Sequence, residues 1–95
     1  MCPSFRIEWT AEARADLRGL RPFDRPPIRR AVEELAHLAV AATRNRKPLR
    51  ESIPALPEAT WEVRVDRHRI FYCVNHETVL VLRVILKAGT TGESL

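Results

Sequence analysis

The stretch Trp61-Glu62-Val63-Arg64-Val65-Asp66-Arg67-His68-Arg69-Ile70-Phe71-Tyr72-Cys73-Val74-Asn75-His76-Glu77, followed after Thr78 by Val79-Leu80-Val81-Leu82-Arg83-Val84-Ile85-Leu86, decides the fold. Trp61, Val63 and Val65 alternate with Glu62, Arg64 and Asp66. That period of two predicts a strand with one buried face. Asp66-Arg67-His68 forms a tight turn, Arg69 to Val74 a second strand, and Asn75-His76-Glu77 a second turn. Val79 to Leu86 is almost continuously apolar, as expected of a central strand covered on both faces. Turns this short join antiparallel neighbours, so the three strands form a meander.

Working back toward the start, Arg44 to Pro57 is a connector carrying Pro48, Pro54 and Pro57. Before it, Ile28, Val32, Leu35, Ala39 and Ala42 recur at helical spacing. Asp24 is placed to cap that helix, with Pro26 and Pro27 in the first turn, where a missing N–H costs little. Its end is expected near Thr43 to Asn45. An earlier helix runs from Ala11 to about Leu20, capped by Thr10 and buried along Ala13, Leu17 and Leu20. Phe5, Ile7 and Trp9 alternate with charged neighbours and predict an opening strand. Beyond the meander, residues 88–95 form a polar, flexible tail. The expected architecture is α+β in one domain, in the order β-α-α-β-β-β. Two N-terminal helices pack on one face of a four-stranded antiparallel sheet.

The chain has 95 residues, enough for one modest core. It carries 16 basic and 12 acidic residues, for a net charge of +4, which permits an anionic partner. Only Lys47 and Lys87 are lysines. The rest of the basic set is arginine, whose planar donor fork fits phosphate, although a coding bias toward arginine gives the same composition. Cys2 and Cys73 are too few and too far apart for a disulfide framework or a metal site. The absence of a signal-peptide pattern and of a long apolar run predicts a cytoplasmic protein with no membrane association. No metal ligand set, glycine-rich phosphate loop or nucleophile motif is present, and no cofactor is expected.

Alternation assigns side chains to faces. Trp61, Val63, Val65, Ile70, Tyr72 and Val74 belong with the helices. Arg64, Arg69, Phe71 and Cys73 then fall on the open face. Arg83, Ile85 and Lys87 share one side of the last strand, and Leu82, Val84 and Leu86 the other. An arginine resists burial without a partner, which puts Arg83 on the open face too. Arg64, Arg69, Arg83 and Lys87 are therefore the candidate catalytic set, able to stabilise charge built up in phosphoryl transfer. Arg44, Arg46, Lys47 and Arg50 in the connector, with Arg67 and His68 in the turn, are the candidate nucleic-acid contacts. The competing account is a solvated sheet face of mixed charge, with Glu62 and Asp66 pairing Arg64 and Arg67, and His68 a plain turn histidine. Glu51 and Glu62 are possible general bases.

Lys47-Pro48-Leu49-Arg50, Trp61-Glu62-Val63-Arg64-Val65 and His68-Arg69-Ile70-Phe71-Tyr72 together resemble the RelE/ParE superfamily of bacterial toxins. Members carry a KPL loop, an aromatic-led strand of the pattern W-E-x-R-V, and a strand of the pattern Y/H-R-V-x-Y. Ile7-Glu8-Trp9-Thr10, Ala13 and Leu17 match the opening strand and helix, so the likeness runs from about Phe5 to Leu86. The resemblance implies the toxin of a type II toxin–antitoxin pair, bound and neutralised by a cognate antitoxin in a hetero-oligomer. RelE-like members cut mRNA on the ribosome without a metal. The strand arginine of the family falls on Arg69, a preceding basic residue on Arg64, and the basic loop on Lys47 and Arg50. The sequence departs from the RelE branch at Glu62, where lysine is common, and in residues 87–95, which hold no tyrosine, histidine or arginine. The alternatives are a ParE-like protein that inhibits DNA gyrase without cutting a bond, and a non-toxic relative that keeps the fold and the antitoxin.

Overall fold

A computed structural model describes residues 4–51 and 53–86. The elements are β1 (Arg6–Trp9), α1 (Ala11–Arg18), a 3-10 turn (Pro22–Asp24), α2 (Arg25–Leu38), β2 (Arg46–Pro48), β3 (Trp61–Val65), β4 (His68–Asn75) and β5 (Thr78–Leu86). The expected flexible tail lies outside the described residues, as do Lys87 and Cys2.

The α+β class and the β3–β4–β5 meander are as the sequence predicts, but the sheet has five strands, ordered β1-β5-β4-β3-β2. Two features correct the four-stranded antiparallel expectation. Arg46–Pro48 pairs antiparallel with β3 as a short edge strand. Three residues are too few to show periodicity, and Pro48 is tolerated because an edge strand can spare an N–H. In addition, β1 pairs with β5 in parallel, Arg6 opposite Thr78 and Trp9 opposite Val81, so the sheet is mixed. Alternation in β1 fixes its buried face but not its direction.

Thr10 caps α1 as expected: its hydroxyl accepts the Ala13 N–H at 3.1 Å and donates to the Leu82 carbonyl at 3.0 Å. One side chain thus starts the helix and ties it to β5. Asp24 does not cap α2 with its side chain. Its carboxylate takes the Arg21 Nε–H at 3.1 Å instead. α2 stops at Leu38, short of the expected end, with the Ala41 N–H bonded back to the Leu38 carbonyl. Ala42 is consequently exposed.

The main core lies between the helices and the sheet, where Ala13, Ile28, Val32, Leu35, Val63, Ile70, Tyr72, Val79, Val81 and Val84 are buried together. The opposite sheet face is not simply open. Leu49, Ile53, Leu56 and Ala59 of the connector fold over it and pack on Phe71 and Leu82. This second, smaller core covers the β4–β5 part of that face as far as Arg69 and leaves Arg64 exposed. Among the described residues no helix is long and apolar enough to cross a membrane.

Candidate functional site

Register across the sheet sets the site. Lys47, Glu62, Phe71 and Arg83 form one row over β2, β3, β4 and β5, and Arg64, Arg69 and Ile85 the next over β3, β4 and β5. Arg64 is exposed and stands directly opposite Arg69, which is half-buried. Like charges directly opposed across two strands are destabilising, so a compensating anion is required. Glu62 supplies part of it. Its Oε1 lies 3.6 Å from an Arg69 terminal nitrogen, and its side chain is only 9% exposed. Glu62 Oε1 and Arg69 Nε are both buried and lack any hydrogen-bond partner. Sequence analysis treated Glu62 as one of two indistinct carboxylates. Its place two residues before Arg64, and so on the same strand face, was the signal available.

Arg83 reaches this face through a bulge. Tyr72 pairs with Val81 and Phe71 with Arg83, which leaves Leu82 as an extra residue on β5. Leu82 packs with Phe71 in the connector-side core, and Arg83 lines a cavity with Phe71 and Arg69. Strict alternation would have put Leu82 beside Val84 under the helices; the bulge overturns that assignment. Val84 does face the helices, and its N–H donates to Asp16 Oδ2 at 2.9 Å. The Arg83 guanidinium donates to the same carboxylate at 2.7 and 3.2 Å. That hydrogen bonding, and then the charge of Asp16, raises the Arg83 pKa above its ordinary value. Arg83 is therefore on the predicted face but already engaged with α1.

Other predicted contacts separate. Arg44, Lys47, Arg50 and Arg67 are exposed. Arg46 is not available to a ligand: it lies opposite Val63, so its side chain turns to the helix side. It donates to the Ala41 carbonyl at 3.3 Å and pairs with Glu34 at 3.7 Å, with only 7% of the side chain exposed. His68 is the first residue of β4 rather than a solvated turn residue, and it is buried. It lies opposite Val65 and Leu86 and lines a helix-side cleft of about 790 Å³ with Leu20, Phe23 and Asp24. The sheet stands between it and Arg69. Lys87 lies outside the described residues.

Tyr72 is a core residue, as its face predicted. Its hydroxyl donates to the Ala39 carbonyl at 2.6 Å, and its ring stacks on Trp61 at 6.1 Å. Burial pushes its pKa well above the usual range, against a smaller opposing effect of Arg46. Cys73 is a half-buried free thiol, its pKa raised by burial and then by Glu58. Among the described residues, then, the open face holds arginines, Lys47, one buried carboxylate and apolar side chains, but no histidine or tyrosine. No group of three potential metal ligands occurs among them either. A cavity of about 290 Å³ between the connector and the sheet is lined by Ile53, Leu56, Arg69, Phe71, Arg83 and Ile85, among others. Such a site can hold an anion by its planar donors and shelter an apolar group beside it.

Comparison with known proteins places this arrangement. Residues 7–88 match the family model for the ParE toxin of the type II toxin–antitoxin system parDE. The chain is similar to a chain of the toxin–antitoxin complex RelBE2 from Mycobacterium tuberculosis, at 30% identity and a TM-score of 0.59, over 93% of this chain and 97% of that one. It shares the fold of a chain of the archaeal RelE–RelB complex from Pyrococcus horikoshii OT3, at 15% identity and a TM-score of 0.71, over 90% and 97%. The same holds for a chain of the chromosomal ParDE system from P. aeruginosa, at 15% identity and a TM-score of 0.63, over 87% and 96%. A search of curated protein sequences gives no match. With most of its length matched by the family model, the chain belongs to the ParE toxin family of type II toxin–antitoxin systems.

Proposed function

We propose that this toxin arrests growth by cutting mRNA on the ribosome and is neutralised by a cognate antitoxin in the cytoplasm. The observation that carries this reading is the direct opposition of Arg64 and Arg69, served by one buried carboxylate. Two guanidinium groups against one carboxylate leave a surplus positive charge at the edge of the connector-covered region. Exposed Arg67 lies in the adjoining turn, and exposed Arg44, Lys47 and Arg50 lie in the connector. A phosphate backbone meets that surplus along its length. Attack of a 2′-hydroxyl on the adjacent phosphorus gives a 2′,3′-cyclic phosphate and expels the next nucleotide's 5′-oxygen. Water takes the 2′-hydroxyl proton and protonates the leaving oxygen. The extra negative charge gathered on the phosphoryl oxygens is one that Arg69 and Arg64 are suited to stabilise. Solved relatives are toxins in complex with their antitoxins, which supports a protein partner for this chain.

A ParE-like gyrase inhibitor is the second reading. It is favoured by the lack of histidine and tyrosine on that face among the described residues, because pure binding needs no proton donor. Induced expression without antitoxin separates the two. Pulse labelling would follow protein and DNA synthesis for wild type and Arg69→Ala. Protein synthesis falling first, and recovering in Arg69→Ala, is the expected result. DNA synthesis falling first would replace mRNA cleavage with gyrase inhibition.

A further inference from the structure

Two arginines share the connector-side face of the sheet, and they are held in different ways. Arg83 is committed to Asp16, which accepts two of its hydrogen bonds and also takes a backbone N–H. Arg69 is not. Its one ion pair, to Glu62, is 3.6 Å long, and its Nε has no acceptor. A guanidinium carries five N–H donors, so Arg69 keeps most of its capacity.

Glu62 is placed oddly for a residue that merely balances charge. A carboxylate doing only that would sit in water, where its solvation is free. Glu62 is instead nine-tenths buried, which costs desolvation. From there it meets Arg69 diagonally across the β3–β4 pair. Arg64 opposite pushes Arg69 away, and Phe71 sits across from Glu62 as an apolar wall. Glu62 and Arg64 both face Arg69 from β3, one attracting it and one repelling it, and Arg69 lines the cavity with Phe71 and Arg83.

We infer that Glu62 is a positioning residue that holds the Arg69 guanidinium, donors outward, for a phosphate of the bound RNA. The assignment rests on the reading of this face as an RNA-binding surface. Its benefit is pre-organisation: a side chain fixed before binding loses less freedom on binding. A bare charge-balancing role predicts the opposite sign for one substitution. Removing the carboxylate raises the positive charge of the face, so Glu62→Gln would bind a polyanion more tightly. Under the positioning role Glu62→Gln binds it less tightly.

The test uses the full chain with arginine side chains labelled with nitrogen-15, and a single-stranded RNA oligonucleotide as probe. The Arg69 Nε–H resonance of the free wild-type protein is expected to report an ordered side chain, and that of Glu62→Gln a mobile one. RNA affinity is expected to fall roughly three- to tenfold in Glu62→Gln, and not at all when Arg69→Ala is already present. Glu62→Asp keeps the charge and withdraws it by one methylene. It should weaken binding too, and it serves if the glutamine variant does not fold. Tighter RNA binding by Glu62→Gln, or an Arg69 side chain equally mobile with and without Glu62, overturns the assignment. Should wild-type protein bind no RNA, the RNA reading fails, and the Arg69 order measurement alone decides whether Glu62 positions it.

Discussion

Asp16 on α1 and Arg83 on β5 are joined by two hydrogen bonds, although 67 residues separate them in the chain. The same carboxylate caps the Val84 N–H. β1 pairs with β5 only as far as Val81, so the edge of β5 beyond that point needs other cover. Thr10 and Asp16 provide it, one at the Leu82 carbonyl and one at the Val84 N–H. Asp16→Ala should therefore cost about 1–2 kcal/mol. That is less than three charge-assisted hydrogen bonds suggest, because the Arg83 side chain is 40% exposed and screened. Urea unfolding would measure it, and a loss below the error of the method would show the edge to be protected by water alone.

Tyr72 links stability to alkaline pH. Its folded-state pKa is raised, so the folded protein keeps the phenol proton while the unfolded chain releases it above about pH 10. The contribution is complete below that value and declines as pH rises through it, by up to about 1.4 kcal/mol per pH unit. Tyr72→Phe removes this dependence and the bond to the Ala39 carbonyl, costing about 1–2 kcal/mol at pH 8. The advantage of wild type over Tyr72→Phe should shrink by pH 11. An advantage that stays constant between those two pH values would contradict the buried, protonated phenol.

Arg46 lies opposite Val63, one strand position from Arg64, yet the two arginines should behave oppositely. Arg46 packs against α2, while Arg64 faces solvent beside Arg69. Arg46→Met replaces a buried, partly satisfied guanidinium with an apolar side chain of similar length. Its stability should stay within about 1 kcal/mol of wild type and its RNA affinity should not change. Arg64→Ala should lower the slope of log affinity against log salt by about 1. A salt slope that drops for Arg46→Met instead would reverse the assignment of faces.

Asp66 has φ of 55° in the turn between β3 and β4. Glycine reaches that conformation without a Cβ penalty, and a β-branched residue meets it at full cost. Asp66→Gly should leave the melting temperature unchanged or raise it by a few degrees. Asp66→Val should lower it by roughly 4–8 °C per kcal/mol lost, with a loss of about 1–2 kcal/mol. Equal melting temperatures for the two variants would mean that the turn relaxes out of the left-handed region.

Periodicity made most of the fold legible. The alternation of Trp61, Val63 and Val65, the helical spacing of Ile28, Val32 and Leu35, and the Thr10 cap all stand as the sequence implies. What escaped depends on partners that sequence does not name. The direction of β1 is set by the strand beside it. Arg46–Pro48 is a strand only because β3 offers it an edge. The bulge moves Leu82 to the other face without changing the apolar run that contains it. In the site, Arg64, Arg69 and Arg83 fall on the face that alternation assigned. His68 and Arg46 do not join them, because turn and connector residues carry no period from which to read a face. Glu62 stood in plain view, but its value came only from the distance to Arg69.

The parallel pairing of β1 with β5 joins the first strand to the last. During synthesis, Arg6–Trp9 emerges from the ribosome long before Thr78–Val81 exists to receive it. At about 5–20 residues per second the wait lasts on the order of ten seconds. For that interval the newborn chain has no complete sheet, and the Thr10 and Asp16 ties to β5 cannot form. A chain built this way cannot close its sheet until Thr78–Val81 has been made.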